Sequence, residues 1–459
     1  MQGHDLRNTR SQPSERTIGT AEASALRPAW EVNATLVGAG GSFTATPVIA
    51  GGCLYLGSTA GWVLALNADT GDVVWKTKLP QAINNSVTVD GDEVFAISGL
   101  RVASLDRVTG KVRWLSRFID EQEGSDTYGS PMLYTYRGRK KVPARRILIA
   151  GVSGGTAETG DDARRYKFQG NVVLVDGDTG RLLRRAYVIP RKQWDDGYAG
   201  GGVWATPAID ARTGYAYVGT GNPFQPEVQH ERTNAIIKID LNPARRTFGR
   251  IVGHYTGTLD EYVEGFADMP CADIPGNPPP WYPQGVGACA DQDLDFGASP
   301  NLYPDADGRL LVGAGQKSGE YHVADARTMK RRSVTLLGAP LLFGGVVGNT
   351  AVDADSVFGP ITGGGYLWSV ARDGGDLRWL TPTLDGVHYA LATTEANGVV
   401  YTIDLPGLLR AYDAQSGMQL AAIPQSQSSP VAANLGGGVA VARNTVYAVT
   451  GSVVVAHRP

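Results

Sequence analysis

The sequence predicts an all-β protein, an eight-bladed β-propeller built from a repeated four-stranded unit. Two recurring sequence motifs, here called the first and the second phrase, lead to this prediction. In the first phrase, an alternating apolar run leads into a turn like Asp-x-x-Thr-Gly, and a short run that often ends in Trp follows. Clear copies cover 63–75, 102–114 and 172–180. The apolar run is typical of a half-buried strand, and the glycine-ending phrase is typical of the tight turn after it.

The second phrase places Ser or Thr before Pro at the start of a strand, with an aromatic-rich strand after a short gap. It occurs five times, at Thr46, Ser130, Thr206, Ser299 and Ser429. Proline is tolerated at the first position of a strand, because the N–H that it lacks lies at an edge. Blades six and seven replace this phrase with the segments 348–353 and 390–394. Together the two phrases give each unit about four strands, as in a propeller blade.

The repeats fill seven complete blades, and an eighth blade near 429–456 has no outer strand of its own. We expect residues 26–30 to supply that strand, because they end in Trp30 as outer strands do and because closure removes free sheet edges. Residues 1–25 then form an N-terminal extension. Residues 26–459 form a single propeller domain with loop insertions at about 135–170 and 221–296. Insertions in one part of a repeat array often build a binding site.

The composition excludes several other classes of protein. Glycine accounts for 60 of the 459 residues, charged residues for 19% and hydrophobic residues for 42%, which excludes a disordered chain and disfavours a coiled coil. The net charge of −3 gives no global basic field for nucleic acid. No run of 18 apolar residues is present that could span a membrane.

The three cysteines form no Cys-x-x-Cys pair, which excludes a c-type haem site and a four-cysteine zinc site. Cys271 and Cys289 share one Pro/Gly-rich segment, and we expect a disulfide between them in an oxidising compartment; two free buried thiols are the alternative. Cys53 opens a strand-like run and is expected in the core. The first residues show no signal peptide, so the chain is either cytoplasmic or a mature exported chain. The expected disulfide favours export, to a periplasmic or extracellular location.

Three segments resemble the active-site parts of quinoprotein alcohol dehydrogenases that depend on pyrroloquinoline quinone (PQQ), especially the polyvinyl alcohol dehydrogenase type. Residues 202–222 contain Gly-Val-Trp-Ala-Thr-Pro and Gly-Thr-Gly-Asn, residues 293–300 read Asp-Leu-Asp-Phe-Gly-Ala-Ser-Pro, and residues 315–319 read Gly-Gln-Lys-Ser-Gly. The repeat itself also resembles the PQQ-type propeller repeat, and residues 3–10 resemble the opening of mature chains in this family. The similarity runs from about residue 3 to the end, without the haem c module of some relatives.

The resemblance implies that PQQ is bound. It assigns Trp204 to the floor on which the quinone ring stacks, a role that suits a flat indole face. It assigns Lys317 to the quinone oxygens, where a cation stabilises the negative charge that develops on reduction. The alternatives are a structural tryptophan in a blade core and a lysine in a surface turn.

The resemblance also implies calcium, with Glu158, Asn222 and Asp295 as ligands, since calcium binds carboxylate and amide oxygens. It makes Asp295 the catalytic base that takes the alcohol proton, and it places Glu158 beside the cofactor. The alternatives are an exposed loop glutamate, a turn asparagine and a turn-capping aspartate, with Asp291 and Asp293 as nearby candidates for the base. Position 297 is Gly where lanthanide-using relatives carry an additional Asp, which favours calcium.

The implied function is an oxidoreductase that oxidises a small or polymeric alcohol by hydride transfer to PQQ and passes electrons to a separate acceptor such as a cytochrome. One departure motivates an alternative. Family members commonly carry adjacent cysteines before Phe-Arg-Gly, whereas residues 166–170 here read Tyr-Lys-Phe-Gln-Gly. The alternative is a PQQ-free propeller that uses the same pocket for other chemistry or as a binding scaffold. A basic cluster at 137–146 is interpreted as a solvated hairpin tip, with an acidic docking partner as the alternative.

Overall fold

The computed structural model describes residues 1–139, 141–154, 167–224, 230–259, 294–338, 345–362, 365–373, 375–382, 393–404, 406–425 and 437–459. Within these residues lie eight four-stranded antiparallel sheets, arranged as the blades of one ring. The predicted eight-bladed β-propeller is therefore confirmed. In blades one to seven the four strands follow one another in the chain, from the inner to the outer edge.

The strands of blades one to four are β2 Val48–Ala50, β3 Cys53–Gly57, β4 Trp62–Asn67 and β5 Val73–Lys78; β6 Thr88–Asp90, β7 Glu93–Ser98, β8 Arg101–Asp106 and β9 Val112–Leu115; β10 Met132–Tyr136, β11 Arg145–Val152, β12 Asn171–Asp176 and β13 Leu182–Tyr187; β14 Ala208–Asp210, β15 Tyr215–Gly219, β16 Ala235–Asp240 and β17 Ile251–Thr256.

The strands of blades five to eight are β18 Asn301–Pro304, β19 Leu310–Gly315, β20 Glu320–Asp325 and β21 Arg331–Leu336; β22 Ala351–Val352, β23 Ser356–Ile361, β24 Tyr366–Ala371 and β25 Leu377–Pro382; β26 Thr394–Ala396, β27 Val399–Ile403, β28 Leu408–Asp413 and β29 Gln419–Pro424; β30 Gly438–Ala442, β31 Thr445–Thr450, β32 Val453–Arg458 and β1 Arg27–Asn33. Two short helices, α1 Thr20–Ala23 and α2 Arg191–Asp195, precede β1 and β14.

The N-terminal strand closes the ring. β1 pairs with β32 along its whole length, and Trp30 lies opposite Ala456. The Trp30 Nε1–H also donates to the Ala68 carbonyl of blade one, at 3.3 Å. β1 thereby covers the free edge of β32 and completes the four-stranded last blade, so the predicted closure is confirmed.

The repeated turn joins neighbouring blades as well as neighbouring strands. The Asp106 carboxylate accepts the Thr109 N–H at 2.8 Å, and Gly110 follows in a left-handed conformation, with φ of 70°. The Trp75 ring of blade one lies on this glycine, so a Cβ at Gly110 would come within 2.6 Å of it. Glycine is therefore required here for its backbone angle and for the close approach of the tryptophan. Trp75 also belongs to a cluster of buried apolar side chains that blades one and two share.

The Ser/Thr-Pro phrase forms part of a second set of links, near the inner strands. The Ser130 N–H donates to the Thr206 hydroxyl at 2.9 Å, and the Thr206 N–H donates to the Ser299 hydroxyl at 3.0 Å. The Ser299 N–H then donates to the Asn349 carboxamide at 2.7 Å. In blades one and two, Ser86 continues this set, since its N–H donates to the Ser130 hydroxyl at 3.0 Å and its hydroxyl donates to the Thr46 carbonyl at 2.8 Å. We call these residues, Thr46, Ser86, Ser130, Thr206, Ser299 and Asn349, the ring positions. Asn349 explains the departure of blade six, because its side-chain oxygen takes the part of the hydroxyl.

The N-terminal extension runs along the inner strands of four consecutive blades. Main-chain N–H groups of these strands donate to carbonyls of residues 6–10, in the pairs Ile209–Leu6, Leu302–Arg7, Val352–Thr9 and Glu395–Arg10. The distances are 2.6, 2.9, 2.8 and 2.9 Å. The extension thus hydrogen-bonds to blades four to seven before α1 leads the chain into blade eight.

The remaining expectations divide between described and undescribed residues. Cys271 and Cys289 lie outside the described residues, so their disulfide stays a prediction. Cys53 is half-buried and packs against the cluster between blades one and two. In the basic cluster, Arg146 forms ion pairs of 3.1 Å with Asp90 and with Asp178. Among the described helices, none combines the length and the apolar character needed to cross a lipid bilayer.

Candidate active site

The predicted site residues of blades four and five share one end of the ring. Trp204 precedes the inner strand β14 by four residues, and Asp295 precedes the inner strand β18 by six. Asn222 and Lys317 follow β15 and β19, which run antiparallel to those inner strands. The start of an inner strand and the end of the next strand meet at the same edge of a blade. The repeat therefore brings these four residues to one mouth of the propeller.

Asp295 lies at the centre of the group. Its carboxylate accepts the Trp204 Nε1–H at 2.9 Å, the Asn222 backbone N–H at 2.5 Å and the Lys317 ammonium at 3.3 Å. Only 4% of its side chain is exposed. A buried carboxylate is costly unless it is paired and hydrogen-bonded. These three donors meet that requirement and fix the direction of both carboxylate oxygens.

Lys317 connects Asp295 with the tryptophan. Its side chain is 9% exposed, and its Nζ lies 5.2 Å from the centroid of the Trp204 ring. The indole face attracts a cation at this range. The Lys317 backbone N–H also donates to the Asp295 carbonyl at 3.0 Å. Lysine and aspartate are thus joined through main chain and side chain, and the interpretation of Lys317 as a surface lysine is wrong.

The Trp204 ring is half-buried and lies against Gly297 of blade five. A Cβ at position 297 would come within 2.2 Å of the ring. Glycine at 297 is therefore a packing requirement of this tryptophan. Any side chain at position 297 would require the Trp204 ring to shift.

The metal ligands are only partly described. Asn222 contacts Asp295 through its backbone N–H, and Glu158, Asp291 and Asp293 lie outside the described residues. Within the described ranges, no group of three or more His, Cys, Asp or Glu side chains could hold a metal ion. Calcium and its three ligands therefore stay a prediction.

Gln316 supports the site and has no signal of its own in the sequence beyond its place beside Lys317. Its side chain is buried, and its Nε2 donates to the Leu294 carbonyl at 2.6 Å and to the Thr258 carbonyl at 2.7 Å. Leu294 directly precedes Asp295, so this carboxamide holds the backbone that carries the carboxylate. Thr258 follows β17, the outer strand of blade four, so the Gln316 carboxamide also connects that strand to the backbone at Leu294.

A second buried polar group lies behind the site. The His322 ring contacts the Tyr255 hydroxyl at 2.9 Å and the Glu320 carboxylate at 3.5 Å, and it packs edge-on against Phe296. Burial raises the pKa of Glu320, but hydrogen bonds from His322 and Thr258 outweigh it and hold the pKa below its ordinary value. Glu320 is therefore charged, and its carboxylate accepts the hydroxyl of Thr258, the residue whose carbonyl accepts the Gln316 Nε2.

The Phe-Gln-Gly segment at 168–170, before which family members commonly carry adjacent cysteines, is held by hydrogen bonds of Gln169. Gln169 is buried, its Nε2 donates to the Ile189 carbonyl at 3.2 Å, and its N–H donates to the Gln122 carboxamide at 2.9 Å. Gly170 and Gly200 continue this edge by a main-chain bond of 2.9 Å. Hydrogen bonds thus anchor this part of the mouth in this chain.

Comparison with known proteins agrees with this fold. A family model of the PQQ type, described as outer membrane protein assembly factor BamB, matches residues 20–257. A polyvinylalcohol dehydrogenase of a Pseudomonas species is 29% identical over 91% of this chain and 66% of its own length. A second, from Sphingopyxis sp. (strain 113P3), is 26% identical over 74% of this chain and 53% of its own length. The chain thus spans just under two thirds and about half of these relatives.

Solved structures match the whole ring. The quinohemoprotein alcohol dehydrogenase of Comamonas testosteroni superposes with a TM-score of 0.71 at 18% identity, over 99% of this chain and 79% of that one. BamB of Moraxella catarrhalis superposes with a TM-score of 0.57 at 15% identity, over 95% of this chain and 98% of that one. The fold and the family model thus define an eight-bladed propeller of the PQQ-repeat class. The chain belongs to the PQQ-repeat family whose model matches more than half of it, and the curated relatives it resembles are named as polyvinylalcohol dehydrogenases.

Proposed function

We propose that this protein oxidises an alcohol, with PQQ as the electron acceptor, calcium at the same site and Asp295 as the base. The observation that carries the proposal is the buried Asp295 carboxylate, which accepts hydrogen bonds from Trp204, Asn222 and Lys317 at one mouth of the ring. The names of its relatives, polyvinylalcohol dehydrogenase and quinohemoprotein alcohol dehydrogenase, support the reaction type and a quinone cofactor.

The residues present fit a planar anionic quinone. Trp204 offers a half-buried aromatic face, and the Lys317 ammonium lies 5.2 Å from the ring centroid. An indole face holds a flat ring by dispersion, and an adjacent ammonium attracts anionic oxygens. For calcium, Asp295 supplies a carboxylate and Asn222 an amide oxygen, which is the donor chemistry that the ion prefers. Glu158 would complete the set.

When bound, PQQ supplies the acceptor for the hydride of the alcohol. The protein's own part is to take the hydroxyl proton and to stabilise charge. The Asp295 oxygens are held by three donors, so the carboxylate can receive a proton without changing its orientation. Lys317 keeps a positive charge within reach of the same point, which favours negative charge on a neighbouring ligand.

The finer assignments follow from the relatives. Two of them are named polyvinylalcohol dehydrogenase, so we propose a polymeric or small alcohol as the substrate. A separate electron acceptor such as a cytochrome would reoxidise the cofactor. We propose a periplasmic or extracellular location, in which the pair Cys271 and Cys289 would be oxidised.

The decisive test is a titration of the purified protein with PQQ, with and without calcium chloride, followed by absorbance and tryptophan fluorescence. We expect saturable binding at micromolar PQQ that requires calcium, and then oxidation of polyvinyl alcohol or a primary alcohol with a dye as acceptor. If the folded protein binds no PQQ under these conditions, the proposal fails. The chain would then be a PQQ-free propeller with other chemistry or a scaffold role.

A pair of tryptophan variants sharpens the test. Trp204→Ala should weaken PQQ binding by about 1–3 kcal/mol through lost stacking and burial. Trp62→Ala is the matched control, because Trp62 is a half-buried tryptophan of blade one with the ammonium of Lys76 5.4 Å from its ring. The control should bind PQQ as the wild type does. Equal losses in both variants would show that general destabilisation is measured.

A further inference from the structure

The gap between blades four and five is bridged at three successive levels. At the mouth, the Trp204 Nε1–H donates to Asp295 at 2.9 Å. At the ring positions, the Thr206 N–H donates to the Ser299 hydroxyl at 3.0 Å. At the third level, the bridge comes from outside both blades. The Asn8 Nδ2 of the N-terminal extension donates to the Thr206 carbonyl at 3.1 Å and to the Pro300 carbonyl at 3.2 Å.

The surroundings of Asn8 make this third bridge specific for an asparagine. The residue is 1% exposed and has a φ of 55°, a left-handed conformation that asparagine tolerates better than most side chains. The Asn301 Nδ2 donates to its carbonyl at 2.6 Å, which fixes its backbone against blade five. The Asn8 Oδ1 has no hydrogen-bond partner among the described residues. Only the donor half of the carboxamide is used, and it is used on the two site-bearing blades.

We propose that Asn8 is a positioning residue of the active site, which fixes the spacing between the inner strands that carry Trp204 and Asp295. Trp204 lies two residues from Thr206, and Asp295 lies five residues from Pro300. A change in the separation of these two carbonyls therefore reaches the tryptophan–carboxylate contact through a few residues of backbone. The inference rests on the proposed function for its catalytic meaning, but the bracing itself can be measured without a cofactor.

The sharpest variant is Asn8→Asp. The new side chain has nearly the same shape and also tolerates the left-handed backbone, but it directs acceptor oxygens at two carbonyls in place of a donor. The loss of the bridge is then separated from any change in volume. Asn8→Gly is the second variant, because glycine accepts the φ of 55° and removes the bridge without adding a charge.

The matched control is Gln12→Ala. Gln12 belongs to the same extension, and its Nε2 likewise donates to an inner-strand carbonyl, that of Val441, at 3.1 Å. Val441 lies in blade eight, on the opposite side of the ring from blade four. A variant that merely loosens the extension should therefore behave like the control.

The experiment measures PQQ affinity in the presence of calcium and, separately, amide hydrogen exchange of the cofactor-free protein. Asn8→Asp should raise the Kd for PQQ at least tenfold and Asn8→Gly about threefold, whereas Gln12→Ala should stay within twofold of wild type. Amides of 203–206 and 298–302 should exchange faster in both Asn8 variants and at the wild-type rate in the control. If Asn8→Asp does not fold, Asn8→Gly decides the result alone.

Two outcomes would overturn the proposal. One is unchanged exchange at 203–206 and 298–302 in folded Asn8 variants; the other is a Kd that changes equally in the Gln12 control. If the wild type binds no PQQ, the proposed function fails, and hydrogen exchange still decides whether Asn8 braces the two blades. The failures of the two proposals are thus distinguishable.

Discussion

Blades one and two have the same four-stranded framework as blades four and five, but the two pairs differ at the residues that precede the ring positions in the sequence. Two residues before the ring positions stand Thr44 and Asn84 in the first pair of blades, and Trp204 and Gly297 in the second pair. The largest side chain and the smallest are thus neighbours across one gap, and the ring of Trp204 fills the space that Gly297 leaves.

Four residues before the ring positions, the same two pairs differ in charge. Ser42 and Ala82 stand there in blades one and two, and Gly202 and Asp295 in blades four and five. Asp295 is the charged group of these four, and Lys317 of its own blade compensates it. The repeat therefore supplies identical positions around the ring, and a few substitutions at one gap make a site. Each prediction below changes one side of this comparison.

The largest effect is expected for Asp295→Asn. The substitution keeps the size of the side chain and removes its ability to take a proton, so alcohol oxidation should fall by about 10²–10⁴-fold or more. Asp210→Asn is the control, because Asp210 is also buried in blade four but caps the turn at Thr213, at the other end of the inner strand. The Asp210→Asn variant should be less stable to unfolding than the wild type but should oxidise the alcohol at the wild-type rate. Steady-state kinetics of folded variants measures both.

The next effect is expected for Lys317→Met, measured by urea unfolding of the cofactor-free protein. Removal of one partner leaves the Asp295 carboxylate buried without its cation, which costs about 3–5 kcal/mol. Lys238→Met is the control, since Lys238 is as buried but donates to the Ala326 and Arg327 carbonyls, each at 2.9 Å. The control should lose about 1–3 kcal/mol. Equal losses of the free energy of unfolding in the two variants would contradict an additional cost from leaving the Asp295 carboxylate without its cation.

The sequence predicts the structural features that recur from blade to blade, but it does not predict contacts that occur only once in the molecule. The blades and the closing strand follow from the two phrases, because equivalent positions of a repeat occupy equivalent places in the ring. The choice of Trp204, Asp295 and Lys317 as site residues follows from the resemblance to PQQ-dependent enzymes. The contact of Asn8 with Thr206 joins residues 198 positions apart. No periodicity marks such a contact, since the extension is not part of the repeat.

The local details were unpredictable for a related reason. The sequence assigns the side chain of Asn222 to the site, but its backbone N–H makes the contact with Asp295. Any residue other than proline offers that group, so its identity carries no signal. Gln316 likewise acts through a buried carboxamide whose partners are two carbonyls from different blades. Side-chain type alone cannot identify partners that lie on the main chain.

Acid sensitivity should come from the closing blade. Burial of His457 in β32 lowers its pKa from 6.5 to about 4. As the pH falls, the unfolded chain binds this proton first, so stability is complete above 6.5 and declines by about 1.4 kcal/mol per pH unit down to about 4. The total loss is about 3 kcal/mol.

His457→Asn should flatten this part of the pH–stability profile, measured by urea unfolding between pH 4 and 7. His254→Asn, in the outer strand of blade four, is the control, because 30% of the His254 side chain is exposed. The control should keep the wild-type slope. If His457→Asn also keeps that slope, the closing blade does not govern the acid response.

The smallest effect is expected for Gly297→Ala, which places a methyl group where the Trp204 ring lies. Overpacking of this kind costs about 1–3 kcal/mol, and here the tryptophan must move away from blade five, because the added Cβ would stand 2.2 Å from its ring. The Nε1–H bond to Asp295 should lengthen, so tryptophan emission should shift and PQQ should bind more weakly. Gly375→Ala in blade six is the control, since a Cβ there meets no atom within 4 Å. If Gly297→Ala leaves the tryptophan emission and the PQQ affinity unchanged, Gly297 does not determine the position of the Trp204 ring.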